Sequence, residues 1–131
     1  MKRNRLEILT GSLDLVADRI GDPAPLVYER LFKEAPEMQE LFWRDTAGLV
    51  RGQMLTVVFE SLMDLADGRT YAPSLLQSER INHENLGVPP EVFDSFLMTV
   101  LNTFRERLGP DWTQEMDSVW LELIAEATAK A

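Results

Sequence analysis

Apolar residues recur at three- and four-residue spacing along nearly the whole chain, the period of helices that each bury one face. Leu6, Leu9, Leu13, Val16 and Ile20 predict a first amphipathic helix that ends near Gly21-Asp22-Pro23. Pro25 suits the first turn of a second helix, where a missing N–H costs little. That helix carries Leu26, Val27, Leu31 and Phe32 and stops before Pro36. A short third piece, about Pro36 to Trp43, holds Met38, Leu41 and Phe42. After Asp45-Thr46-Ala47-Gly48 comes the most apolar helix, about residues 48–66. Leu55, Val58, Leu62 and Leu65 line one of its faces, and Val57, Phe59 and Met63 broaden it, which predicts burial on two sides. A polar helix over 73–86 follows, then one over 90–108 and a last one over about 112–129. No segment alternates apolar and polar residues between hairpin turns. The pattern predicts one all-α domain, residues 1–131, of six to eight helices.

The 45% hydrophobic content is enough for one contiguous core in a chain of 131 residues. No stretch approaches the roughly 20 apolar residues that span a bilayer. The start, Met1-Lys2-Arg3-Asn4-Arg5, is basic but runs straight into Leu6-Glu7-Ile8-Leu9, which reads as the beginning of a helix rather than a signal peptide. A formal charge of −9 with no Lys/Arg stripe repels phosphate backbones and anionic lipid, so neither nucleic acid nor a membrane surface is an expected partner. The absence of cysteine removes a disulfide framework and the usual Cys/His zinc patterns. It also fits a reducing compartment, and a cytoplasmic location is the expectation.

Chemistry then narrows to one side chain. The seven glycines are scattered along the chain and form no phosphate loop. No nucleophile elbow is present, and acidic pairs such as Glu37/Glu40 and Glu122/Glu126 fall on predicted solvent faces. His83 is the single histidine. It sits near the end of the polar helix, in Glu79-Arg80-Ile81-Asn82-His83-Glu84-Asn85-Leu86-Gly87-Val88-Pro89-Pro90, where Gly87 stops the helix and two prolines block its continuation. A two-histidine metal site within one chain is thereby excluded. Taken alone His83 is either an ordinary surface or core histidine or a metal ligand facing an apolar pocket. The 48–66 helix could wall such a pocket, with Phe42 and Phe93 closing its ends.

The order of these pieces resembles the globins, particularly single-domain bacterial globins and the globin module of flavohaemoglobins. The resemblance runs from about Leu6 to Ile124. It is carried by Leu26-Val27-Tyr28-Glu29-Arg30-Leu31-Phe32, Pro36-Glu37-Met38-Gln39-Glu40-Leu41-Phe42, His83 with Gly87-Val88-Pro89-Pro90-Glu91-Val92-Phe93, Leu108-Gly109-Pro110-Asp111-Trp112-Thr113, and Trp120. It implies a globin fold packed three helices over three, since a complete first helix argues against the shortened two-over-two form. It implies haem b, with His83 as the proximal iron ligand and Phe42, Leu55, Val88 and Phe93 around the ring. Tyr28 resembles the second-helix tyrosine that donates a hydrogen bond to bound dioxygen, and Arg51, four residues before Leu55, takes the distal gate position beside Leu55, with Gln53 or Val50 there if the register slips. The implied function is reversible binding of a diatomic gas (dioxygen, carbon monoxide or nitric oxide) for storage, delivery or sensing. Nitric oxide dioxygenation would need electrons from an external reductase, so enzymatic activity is not the expectation.

Two residues depart from the family pattern. Glu79 stands where globins usually place an apolar residue against the haem, and Asn82, just before His83, is also polar. An unpaired carboxylate buried against a porphyrin is costly. Glu79 is therefore expected to turn outward or pair with Arg80 or Arg51. The rival reading is a haemless globin-like sensor or interaction module.

Overall fold

The computed structural model describes residues 4–42, 45, 48–69 and 71–130. The positions of Met1 to Arg3, Trp43, Thr46 and Ala47 in the expectations above lie outside them. Among the described residues every regular element is helical: α1 (Arg5–Arg19), α2 (Ala24–Glu34), a 3-10 segment (Pro36–Phe42), α3 (Leu49–Ala66), α4 (Tyr71–Asn85), α5 (Pro90–Leu108), a 3-10 turn (Gly109–Asp111) and α6 (Gln114–Lys130). Helix α3 adjoins both α1 and α4, and this layer packs against α2, α5 and α6, giving the expected three-over-three arrangement.

Helix boundaries follow local chemistry. The Asn4 side chain accepts the Leu6 N–H at 2.7 Å and caps α1. The third piece is 3-10 rather than α, and α4 begins two residues earlier than the sequence suggests. Its first turn is held by the neighbouring helix, because the Asp64 carboxylate of α3 accepts the Ala72 N–H at 2.8 Å. Local sequence cannot reveal such a cap from another element. Trp112 precedes α6 instead of opening it. Thr113 caps that helix by accepting the Met116 N–H at 3.1 Å, while Trp112 is buried and its indole donates to Asp117 at 3.0 Å.

The core gathers Leu9, Leu62, Leu101, Phe104, Trp120 and Leu123, all essentially inaccessible to water. Trp120 stacks edge-on to Phe104 at 5.5 Å. Its buried indole N–H donates to Ser12 Oγ at 2.8 Å, and Ser12 in turn donates to the Leu9 carbonyl at 2.6 Å. This chain of bonds, with the Arg5–Glu126 ion pair, fastens α1 to α6. Ser12→Ala should leave the indole N–H buried without an acceptor and cost about 1–3 kcal/mol, read as a lower urea midpoint at unchanged slope.

Helix α4 differs from its neighbours. Only Ala72 and Leu76 of its fifteen residues are buried, against seven of nineteen in α5. It lies over a space rather than over a packed core.

Candidate functional site

Beneath α4 is a cavity of about 340 Å³, a size that accepts small organic ligands. Its walls are mostly apolar: Met54, Val57 and Val58 from α3, Leu75 and Leu76 from α4, and Val92, Phe93, Phe96 and Leu97 from α5. Tyr28 and Leu31 of α2 and Met38 and Phe42 of the 3-10 segment close another side, and His83, Val88 and Glu79 also line it.

His83 reaches this space because of how α4 ends. Gly87 adopts φ +97°, a left-handed conformation that a side chain would strain. The Gly87 N–H then donates to the Glu84 carbonyl at 3.1 Å and the Val88 N–H to the His83 carbonyl at 2.9 Å. This paired closure of the helix end sets Val88 beside the imidazole. Pro89 and Pro90 start α5 immediately, which brings Phe93 to 5.1 Å from the His83 ring. Arg80 of α4 donates to Asp94 of α5 at 2.9 and 3.2 Å and clamps the corner from outside.

The imidazole is oriented by its own helix. His83 Nδ1 lies 2.7 Å from the Glu79 carbonyl oxygen. A carbonyl can only accept, so Nδ1 carries the proton and the Nε2 lone pair is left for a ligand or metal. That is the tautomer a histidine needs to bind a metal through Nε2.

Across the cavity Tyr28 is about 1% exposed, and its hydroxyl finds no hydrogen-bond partner among the described residues. Its ring is wedged between Phe42 and Phe96, each with centroids at 5.5 Å. Burial pushes the phenol well above its ordinary pKa; nearby Arg51 pulls it down and Asp45 pushes it up, each by less. The hydroxyl therefore stays protonated and able to donate at any physiological pH.

Five residues singled out from the sequence thus meet at one cavity: Tyr28, Phe42, His83, Val88 and Phe93. Leu55 and Arg51 are not among its walls. Leu55 is buried in the core, and α3 turns Met54, Val57 and Val58 to the cavity in its place. Arg51 is held at the start of α3, where its Nε donates to Asp45 Oδ2 at 3.0 Å and its Nη2 to the Asp45 carbonyl at 2.7 Å. The same carboxylate accepts the Val50 and Arg51 N–H groups at 3.1 and 3.0 Å. Burial opposes ionisation of Asp45, but these donors and the guanidinium outweigh it and hold the carboxyl below its ordinary range. The wall residues that sequence reasoning did not assign, such as Met54 and Phe96, carried the signal of helical spacing. Their direction depends on how the helices turn against one another.

The expected pairing of Glu79 with Arg80 or Arg51 does not occur. Both guanidinium groups are taken by aspartates nearer to them, Asp94 and Asp45. The Glu79 carboxylate instead lies 3.7 Å from His83 Nδ1. Asn82 is exposed and does not line the cavity.

The globin family model matches residues 26–131, most of the chain. The chain belongs to the globin family. No curated protein and no solved structure matches it. Helix α1 precedes the matched residues yet completes the globin fold by packing on α3 and α6. Among the described residues no helix of this globin is long and apolar enough to cross a membrane.

Proposed function

We propose that this globin reversibly binds a diatomic gas, dioxygen first, at haem b held through His83. The observation that carries the reading is the pairing of an available Nε2 lone pair on His83 with a protonated Tyr28 hydroxyl that has no partner among the described residues, both at the same apolar cavity. Haem b would supply there an iron centre able to take up the gas. Phe42, Val88 and Phe93 would hold the ring, and the apolar walls of α3 and α5 would exclude water. The Tyr28 hydroxyl would donate to the partly negative outer atom of dioxygen. Leu55, buried in the core, would act on the distal side only indirectly, and Arg51 would contribute its charge near Tyr28 without lining the cavity. The absence of cysteine supports work in a reducing cytoplasm, and nitric oxide turnover there would draw on an external reductase.

The test is the visible absorption spectrum of protein produced with haem supply. A strong Soret band that shifts with carbon monoxide and dioxygen is expected. A transparent protein would select the second reading, a haemless globin-like sensor or interaction module. That reading is favoured by one feature alone, the Glu79 carboxylate at the cavity wall with no lysine or arginine partner among the described residues.

A further inference from the structure

The Glu79 carboxylate stands one helical turn before His83, and both residues line the cavity. The backbone carbonyl of Glu79 receives the Nδ1 proton at 2.7 Å, and the Oε2 of its own side chain lies 3.7 Å from the same nitrogen. At that separation the carboxylate acts through its charge rather than through a hydrogen bond. Arg80 and Arg51, the cations expected to neutralise it, are committed to Asp94 and Asp45. One face of the imidazole N–H thus meets a carbonyl dipole and a formal negative charge together.

Resting on the gas-binding reading, we propose that Glu79 is a positioning residue that strengthens His83 as an electron donor and biases the site toward the ferric state. A negative charge beside Nδ1–H stabilises the positive charge that builds on the ring as Nε2 donates its lone pair. The more highly charged oxidation state gains more from such a donor. A globin tuned in this way is drawn toward redox chemistry or redox sensing and away from passive storage. The side chain is 36% exposed, so water screens part of its charge and the bias is moderate.

The experiment compares wild type with Glu79→Gln, Glu79→Leu and Glu79→Asp, each loaded with haemin. It reads the midpoint potential by spectroelectrochemistry and the iron–histidine stretch of the ferrous protein by resonance Raman. Loss of the charge in Glu79→Gln and Glu79→Leu should make the ferric form about ten-fold easier to reduce, about 59 mV for one electron. The stretching frequency should fall in parallel, and Glu79→Asp should lie nearer wild type than Glu79→Gln does. Identical potentials and frequencies in wild type and Glu79→Gln overturn the inference. A shifted potential with an unmoved stretch also overturns it, because the charge would then act without passing through His83. A wild type that yields no Soret band overturns the gas-binding reading itself and this inference with it, a failure told apart by the spectrum alone.

Discussion

His83→Ala protein should purify without tightly held haem, its Soret band lost or reduced at least ten-fold, and added imidazole should restore part of it. His83 is the single histidine of the chain and cysteine is absent. Among the described residues no cluster of three or more metal-binding side chains offers an alternative. The effect should be large because a coordinate bond is lost while the apolar walls remain. Folding should survive, since His83 is part-exposed and makes its hydrogen bond only to its own helix. Far-UV circular dichroism of the apoprotein checks this. An unchanged five-coordinate spectrum in His83→Ala would remove the histidine from the proposed role.

Tyr28→Phe should have two opposite consequences. A hydrogen bond to bound dioxygen is worth about 1–1.5 kcal/mol, so its loss should raise the dioxygen dissociation rate about ten-fold in stopped-flow displacement. Carbon monoxide is less polarised and should respond far less. The apoprotein should become more stable, by about 1 kcal/mol in urea, because a buried hydroxyl without a partner is removed while the ring contacts with Phe42 and Phe96 stay. A donor that costs stability in the empty chain and slows gas loss in the loaded one would be the signature of a functional tyrosine. Equal dissociation rates in the two proteins would return Tyr28 to the role of a core aromatic.

Much of this architecture was legible from residue order. The helices, their breaks at Gly21, Gly87 and Gly109, and the burial of Leu9, Val16, Leu62 and Trp120 follow from spacing and turn chemistry, which act over a few residues. His83, Tyr28, Phe42, Val88 and Phe93 were recognisable by their order along the chain, and the structure brings them to one cavity. What escaped depended on contacts between elements. Asp64 starts α4 from the neighbouring helix. Asp45 captures Arg51, and Asp94 captures Arg80, so the partner of Glu79 could not be chosen by counting along its own helix. The wall offered by Met54 and Val57 in place of Leu55 reflects a rotation of α3 that spacing leaves undetermined.

The thin burial of α4 bears on how the protein opens. A helix with two buried residues of fifteen has little apolar contact to set its amide protection, and such segments open locally well below the global unfolding free energy. In the apoprotein, amides of residues 75–85 should therefore exchange their hydrogens fastest among the long helices, while those around Phe104 and Trp120 exchange slowest. Whatever fills the cavity becomes the missing surface for α4 to fold against. An occupant at a thousand times its dissociation constant adds about 4 kcal/mol to the native state, and exchange in α4 should slow far more than in the α1–α6 contact. The segment bearing His83 would thus also register, through its own order, whether the site is filled.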